Sequence, residues 1–251
     1  MERITDFIPG ELVIIAGRPA VGKTTLALTT LYNLAVERSI PSAIFSMEIS
    51  SEQLAQRFLG KILDPQKIQS GNLTPKEWER FESQMQQMQK APLYIEDSQT
   101  LSISELQTKA REMVREDEVQ IIFIDYLQLI DGRDPSCDSK TEEHSFVVRK
   151  LKELATELQI PIVALSQLSA PQTPRQDNRP QIRDLKDWSL PVRQYADRIC
   201  FLHHSDYCCP NEEKCHSGKA EFIIHDHRKL SESTTTIQYI YENQHLEFIN
   251  D

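Results

Sequence analysis

A glycine-containing segment near the amino terminus constrains the fold more than any other feature of the chain. Residues 17–24 read Gly-Arg-Pro-Ala-Val-Gly-Lys-Thr and satisfy the spacing G-x-x-x-x-G-K-[S/T]. A continuous apolar run from Leu12 to Ala16 precedes the segment, and helix-forming sequence follows from Gly22 to Arg38. Because the chain contains only seven glycines and both flanks have the required pattern, we interpret the segment as a phosphate-binding loop rather than a chance turn.

This loop predicts a nucleotide site. Glycines let the backbone approach phosphate oxygens, and free N–H groups together with the helix dipole stabilise the negative charge. Lys23 is expected to reach the β- and γ-phosphates and Thr24 to bind Mg²⁺, so ATP and Mg²⁺ are the expected cofactors. The expected nucleotide-binding residues are Gly17, Arg18, Pro19, Ala20, Val21, Gly22, Lys23, Thr24 and Thr25.

Two carboxylates stand at the ends of predicted strands. Asp125 ends Ile121–Asp125, the strongest strand signal of the chain, and is expected to be the second ligand of the metal. Glu48 follows a strand predicted over 43–47 and is placed to polarise the attacking water. Two other interpretations stay open at this point, because Glu48 can serve as a helix-start charge and Asp125 as an ordinary strand-end cap.

Strands alternate with helices along most of the chain, a pattern typical of an α/β fold with a mostly parallel central sheet flanked by helices. Helix starts are predicted where Ser or Thr is followed three residues later by Glu or Gln, at Ser50, Thr74 and Ser102. After residue 199 the pattern changes to short strands, which predict an antiparallel carboxy-terminal edge of the same sheet. We therefore expect one domain over residues 1–251.

Composition narrows the possible environments of the protein. Hydrophobic residues make up 39% and charged residues 26% of the chain, which is compatible with a packed core. We expect no membrane span and no secretory signal, and the five scattered cysteines favour a reducing, cytoplasmic compartment. The net charge of −10 excludes general binding to nucleic acid, but it leaves room for DNA binding where basic residues converge, as at the centre of a ring.

A group of histidines and cysteines lies between two predicted strands near the carboxy terminus. A surface loop and a zinc site are both compatible with it, although adjacent cysteines or histidines are poor chelators of one ion and the spacing matches no standard zinc finger. The group comprises His203, His204, Cys208, Cys209, Cys215 and His216.

Four segments together resemble the carboxy-terminal ATPase domain of DnaB-type replicative helicases. They are GRPAVGKTT at 17–25, FSMEISSEQL at 45–54, IDYLQL at 124–129 and PIVALSQL at 161–168. DLKD at 184–187 and AD at 196–197 match more loosely. The resemblance implies a RecA-like fold, a hexameric ring, and movement along single-stranded DNA powered by ATP hydrolysis during replication, with other replication proteins as partners.

The resemblance also implies roles for individual residues. Glu48 resembles the catalytic base, Asp125 the second acid, and Gln167 the glutamine that senses the γ-phosphate and couples it to the DNA loops. Arg228 resembles the arginine that reaches the nucleotide of a neighbouring subunit. The family has a lysine where this chain has Asp226, so either Lys229 substitutes for that lysine or catalysis between subunits is weakened.

A further departure lies in the segment that faces DNA in this family. The family pattern is Asp-Leu-Arg-Glu-Ser-Gly, whereas this chain reads Asp-Leu-Lys-Asp-Trp-Ser at 184–189. Lys186, Asp187 and Ser189 are the residues expected to contact DNA. Trp188 has two possible roles, stacking on a base or packing against the protein, and we favour packing.

The sequence therefore favours an ATP-dependent DnaB-like helicase or translocase domain. The alternatives are a non-translocating ATPase of the same fold that serves as a helicase partner or loader, and a nucleotide-switched regulator. The chain begins shortly before its first strand, without the amino-terminal domain and linker helix of the family, so we expect a weakened ring. Stimulation of ATP hydrolysis by DNA would separate the motor from both alternatives.

Overall fold

The structure is a computed structural model that describes residues 6–60, 65–169, 179–204, 217–226, 231–242 and 245–249. Eleven strands lie in these ranges: β1 Leu12–Gly17, β2 Ser42–Ser46, β3 Leu93–Glu96, β4 Leu101–Ser102, β5 Ile121–Asp125, β6 Ile130–Asp131, β7 Ile162–Gln167, β8 Arg198–His204, β9 Ser217–Asp226, β10 Ser231–Glu242 and β11 His245–Ile249. Nine of them form one sheet in the order β11-β10-β9-β8-β1-β7-β5-β2-β3, and β4 pairs with β6 separately.

Seven α-helices connect the described strands: α1 Lys23–Leu31, α2 Ser51–Gly60, α3 Pro65–Ser70, α4 Pro75–Lys90, α5 Ile103–Asp117, α6 Lys140–Leu158 and α7 Ser189–Tyr195. The helix expected to run from Gly22 to Arg38 continues from α1 as a π-helix, Tyr32–Glu37. Short 3₁₀ segments cover Leu127–Leu129 and Ile182–Trp188. Among the helices of the described ranges, none has the length and apolar content needed to cross a membrane.

The central strands are buried because helices cover both faces of the sheet. Alternate residues of β1 point into two separate hydrophobic clusters, with Leu12 and Ile14 in one and Val13 and Ile15 in the other. Every residue of β1, β2 and β5 is buried, which explains why these strands read as unbroken apolar runs. The sequence expectation of a RecA-like α/β sheet is thus confirmed.

The antiparallel edge of the sheet begins one strand later than the sequence pattern indicated. Strand β8 pairs parallel to β1, and antiparallel pairing starts where β9 joins β8 and continues through β10 and β11. The long strands β9 and β10 therefore extend the sheet away from β1 without adding another parallel strand.

The three predicted helix starts are confirmed by their hydrogen bonds. The Glu77 backbone N–H donates to Thr74 Oγ1 at 3.3 Å, while Glu77 Oε2 accepts from the Thr74 backbone N–H at 2.8 Å. Ser102 and Glu105 make the same reciprocal pair at the start of α5. Ser50 and Gln53 do so at the start of α2, with both distances at 3.3 Å. Each pair satisfies backbone N–H groups that the first helical turn leaves without partners.

Of the histidine and cysteine group, only His203 and His204 are described, and both belong to β8. Cys208, Cys209, Cys215 and His216 lie outside the described residues. Within the described ranges, no three histidine, cysteine or acidic side chains are grouped so that they would hold a metal ion. The two interpretations of this group therefore remain predictions.

Candidate functional site

The glycine loop connects the carboxyl end of β1 to the first turn of α1. It lies on the side of the sheet where the parallel strands have their carboxyl ends. Gly22 has a φ of 93°, a left-handed conformation that glycine adopts without strain. A Cβ atom at Gly17 would lie 2.7 Å from Val21 Cγ1, so only glycine allows the loop to fold this tightly. The local sequence therefore determines a narrow backbone cradle of the kind that binds phosphate.

Lys23 is the first residue of α1 and folds back over the loop. Its Nζ donates hydrogen bonds to the carbonyl oxygens of Gly17 at 3.0 Å and Arg18 at 2.9 Å, and only 8% of the residue is exposed. Burial lowers the pKa of this ammonium to about 8, and the nearby carboxylates of Asp125 and Glu48 limit that decrease. A phosphate group entering the loop would supply the negative charge that this buried ammonium lacks.

Thr24 and Asp125 lie 101 positions apart in the sequence but are hydrogen-bonded in the fold. Thr24 Oγ1 donates to Asp125 Oδ2 at 2.7 Å, and Asp125 is 2% exposed at the end of β5. Burial raises the pKa of Asp125 and the carboxylate of Glu48 adds to this, while the Thr24 hydroxyl and Lys23 act in the opposite direction. A divalent cation would relieve the same unfavourable burial of charge, so this pair fits a Mg²⁺ site.

Glu48 lies in the bend that follows β2, next to the end of β5. Its neighbour Met47 donates its backbone N–H to the Asp125 carbonyl at 2.9 Å, and Ser46 Oγ donates to the Ile49 carbonyl at 2.6 Å. These two bonds fix the bend on both sides of Glu48, and the residue itself is exposed.

The start of α2 is stabilised by groups other than Glu48. Ser50 and Gln53 form the reciprocal pair described above, and the Ser51 backbone N–H donates to Asp97 Oδ2 at 2.7 Å. These contacts cap the first turn of α2 without Glu48. The capping of α2 does not depend on Glu48, and both interpretations of Glu48, as a reactive carboxylate and as a helix-start charge, stay predictions.

Gln167 ends β7 beside the phosphate-binding loop. It lies opposite Gly17 in the parallel pairing of β1 with β7, and it is exposed. Its backbone is bonded by the side chain of Gln128, a residue to which the sequence reasoning assigned no role although it lies within the IDYLQL segment. The sequence signal that could have identified Gln128 is its position three residues after Asp125.

The residues expected to contact DNA lie on the Ile182–Trp188 segment and at the start of α7. Lys186 and Asp187 are exposed, and Ser189 is half-buried. Lys186 has φ 52°, an unusual backbone conformation for a residue with a side chain. The Ser169 backbone N–H donates to the Asp184 carbonyl at 3.2 Å, which ties this segment to the residues directly after β7.

Trp188 packs inside the protein. It is 7% exposed and stacks on the imidazole of His144 with ring centroids 4.1 Å apart. Because the indole is covered, this structure agrees with the packing interpretation of Trp188.

Arg228 and Lys229 lie outside the described residues. Asp226 is described, and it is buried at the end of β9 opposite Arg198. Arg198 is aligned with Val13 near the beginning of β1, whereas the phosphate-binding loop follows the end of β1. Asp226 therefore lies at the opposite end of the strands from the loop. Asp226 is therefore not part of the loop site of its own chain.

The geometry brings together Gly17, Lys23, Thr24, Asp125 and Gln167 at one edge, with Glu48 in the adjoining bend. The carboxyl ends of four neighbouring parallel strands, β1, β7, β5 and β2, lie side by side there. Ligands of α/β proteins commonly bind in a crevice at these strand ends. This arrangement suits the binding of a triphosphate with a divalent cation, because it combines a backbone cradle, a buried ammonium and a hydroxyl–carboxylate pair. The exposed carboxylate of Glu48 suits the activation of a water.

Comparison with known proteins agrees with this geometry. The sequence family described as the DnaB-like helicase C-terminal domain matches residues 2–250. The chain is 37% identical over 246 residues to the replicative DNA helicase DnaB of Geobacillus stearothermophilus, covering 96% of this chain and 53% of that protein. The replicative DNA helicase DnaC of Bacillus subtilis has the same identity and coverage. The chain thus spans about half the length of these curated relatives.

Solved structures have a similar fold. One solved ATPase domain superposes with a TM-score of 0.84 at 29% identity, covering 97% of this chain and 86% of that one. A DnaB-like replicative helicase, solved in a study of its interactions with primase, also has a TM-score of 0.84 at 29% identity, covering 97% of this chain and 58% of that one. A KaiC-like protein of Pyrococcus horikoshii, with a TM-score of 0.59 at 14% identity, shares the fold alone.

Proposed function

The chain belongs to the family of DnaB-like helicase C-terminal domains, and on that premise we propose that it is the ATP-hydrolysing motor domain of a replicative DNA helicase. Its work would be translocation on single-stranded DNA. One observation carries the proposal: the Thr24 hydroxyl and the buried Asp125 carboxylate are hydrogen-bonded beside the buried Lys23 ammonium. This arrangement supports phosphate binding by Lys23 and metal binding by Thr24 and Asp125.

We assign the steps of hydrolysis to individual side chains. Lys23 would bind the β- and γ-phosphates, and Thr24 and Asp125 would hold Mg²⁺, which when bound offsets the phosphate charge. Glu48 orients the attacking water and accepts its proton, since a carboxylate in the bend after β2 is exposed to the water it must reach. Gln167 detects the γ-phosphate from its position beside Gly17.

The partners are part of the proposal. Single-stranded DNA would contact Lys186, Asp187 and Ser189, and identical chains would assemble into a ring in which Arg228 completes the site of a neighbour. A replication protein is a further partner to test, because the structural relative above was solved in a study of its interactions with primase. A single domain over 1–251 and a cytoplasmic location remain predictions from the sequence.

The decisive experiment measures ATP hydrolysis with and without single-stranded DNA, alongside the mass of the protein in solution with nucleotide. We expect hydrolysis that DNA accelerates and an oligomer larger than a dimer. Lys23→Ala should reduce hydrolysis to background. Lys67→Ala removes one ammonium at a surface ion pair with Glu77 and should have no effect.

The outcomes also separate the alternatives. Hydrolysis that ignores DNA would favour a non-translocating ATPase that serves a helicase. Nucleotide binding without hydrolysis would favour a switched regulator. If Lys23→Ala hydrolyses ATP at the rate of the unaltered protein, the proposed site is wrong.

A further inference from the structure

Strand β7 continues past the end of its neighbour β5. Their parallel pairing runs from Ile122 opposite Ile162 to Ile124 opposite Ala164, and β5 ends one residue later at Asp125. Strand β7 continues to Gln167. Its last residues therefore extend beyond the paired stretch on the β5 side, where peptide groups would otherwise lose their ladder partners.

The side chain of Gln128 takes the place of the missing peptide group. Its Nε2 donates to the Gln167 carbonyl at 3.1 Å, and its Oε1 accepts from the Gln167 backbone N–H at 3.3 Å. The same Nε2 donates to the Ser166 hydroxyl at 2.8 Å. A carboxamide has one acceptor oxygen and two donor hydrogens, and the three bonds use both donor hydrogens and the oxygen of Gln128 on two consecutive residues of β7.

The opposite side of the same backbone is bound to the phosphate loop. Gln167 is aligned with Gly17, and the next residue, Leu168, donates its backbone N–H to the Gly17 carbonyl at 2.9 Å. That carbonyl also accepts from Lys23 Nζ. Gln167 is thus held between the loop that contains Lys23 and the segment that begins at Asp125.

We propose that Gln128 is a positioning residue for hydrolysis: its carboxamide extends the β5–β7 ladder and fixes the backbone from which the Gln167 side chain reaches the γ-phosphate. The inference rests on the proposed function, because it takes Gln167 as the group that responds to nucleotide. Gln128 lies three residues after Asp125, so it links the metal-binding carboxylate to Gln167 across the carboxyl edge of the sheet. Gln128 acts through the placement of Gln167 and not by contact with the reacting atoms.

The first test compares Gln128→Ala with the unaltered protein. We expect the affinity for MgATP to stay within about threefold, while turnover with single-stranded DNA falls on the order of tenfold, since neutral hydrogen bonds that position a group contribute little to ground-state binding. Hydrogen exchange of the Gln167 amide without nucleotide should accelerate about tenfold, because that amide loses its acceptor.

A matched control removes the same kind of contact elsewhere. Gln107 donates its Nε2 to the Lys150 carbonyl at 3.1 Å, between α5 and α6. Gln107→Ala should leave turnover and exchange at Gln167 unchanged. Should Gln128→Ala fail to fold, Gln128→Glu keeps the size of the side chain and one acceptor but loses both donated bonds, and it should lower turnover in the same way.

A double-mutant cycle separates positioning from a purely structural role. If Gln128 acts only through the Gln167 side chain, then Gln128→Ala made on a Gln167→Ala background should cause no further loss of turnover. Independent losses that multiply would overturn the inference, as would Gln128→Ala turnover equal to that of the unaltered protein. These outcomes differ from failure of the proposed function, which would appear as an unaltered protein that hydrolyses no ATP.

Discussion

The phosphate-binding edge and the segment proposed to contact DNA are built in opposite ways. At the phosphate edge, Thr24 donates a hydrogen bond to Asp125 and Lys23 donates to the carbonyls of the loop, and Lys23 and Asp125 are almost fully buried. In the Ile182–Trp188 segment, Lys186 and Asp187 are exposed, and the buried residues Asp184, Leu185 and Trp188 hold the backbone beneath them.

The difference fits the role that we propose for each region. Charged groups that stabilise the transition state of phosphate hydrolysis are most effective when they are held in place, because preorganised charge avoids a reorganisation cost. Groups that follow a sugar–phosphate backbone need exposed charge, and their affinity is mostly electrostatic. Substitutions at the first edge should therefore change chemistry, and substitutions in the second region should change either stability or DNA affinity.

The largest expected effect tests the chemical half of this comparison. Glu48→Gln removes the proton acceptor but keeps the shape, so turnover should fall by roughly 10²–10³-fold while MgATP affinity changes little. Steady-state rates and nucleotide titration measure the two quantities. Glu52→Gln, in the exposed first turn of α2, is the matched control and should hydrolyse normally.

The opposite result for Glu48→Gln would be a loss of thermal stability with turnover per folded molecule intact. That result would mean that Glu48 supports the start of α2 after all, despite the contacts that Ser50, Gln53 and Asp97 make there.

The second effect tests the packed base of the DNA segment. Trp188→Ala deletes a buried indole that stacks on His144. The free energy of unfolding should therefore fall by about 3 kcal/mol, as for other large core residues. Chemical denaturation measures this loss, and Trp188→Phe should recover part of it. Unchanged stability with DNA affinity reduced about tenfold would instead mean that the ring stacks on a base.

The third effect is a pH dependence specific to the phosphate edge. Burial lowers the pKa of Lys23 to about 8, whereas bound phosphate would keep the ammonium charged. Binding should therefore take up a proton above pH 8, and the Kd for MgATP should rise about tenfold per pH unit there. Calorimetry in buffers of different ionisation enthalpy detects the proton. A Kd that stays constant to about pH 9.5 would contradict the expectation.

The same shift has a consequence for the nucleotide-free protein, with the sign fixed by linkage. The folded pKa of Lys23 lies below its usual value of 10.5, so burying the ammonium costs free energy below pH 8. That cost fades as the pH rises from 8 towards 10.5. The contribution of Lys23 to the free energy of unfolding should accordingly increase across this window.

The smallest effect concerns Lys186. Lys186→Ala removes one exposed ammonium, so DNA affinity should weaken only a few-fold, and the slope of log K against log salt should decrease by about one. Hydrolysis without DNA should not change, because Lys186 is outside the phosphate edge. Lys140→Ala, at the exposed start of α6, is the control for a general charge effect. Equal effects of the two substitutions on the salt slope would remove Lys186 from the proposed DNA surface.

The sequence by itself determined the glycine loop, the order along the chain of the nine strands of the main sheet, and the helix starts at Ser50, Thr74 and Ser102. These features are local: their signals are apolar periodicity, a fixed motif spacing, or a side chain bonded to backbone three residues away. The sequence did not indicate the short elements α3, α7, β4 and β6. Positions at the ends of predicted strands pointed to Asp125 and Glu48, and the family resemblance added Gln167. Local patterns carry this information because the residues that produce them are neighbours along the chain.

Only the tertiary structure decided how those residues meet. The ladder order places the ends of β1, β7, β5 and β2 side by side, which brings Thr24 to Asp125. The tertiary structure also shows that Trp188 packs on His144 and that the side chain of Gln128 bonds to the backbone at the end of β7. Gln128 and Gln167 lie 39 positions apart, and their hydrogen bonds form where β7 continues past the end of β5, so no local pattern encodes them.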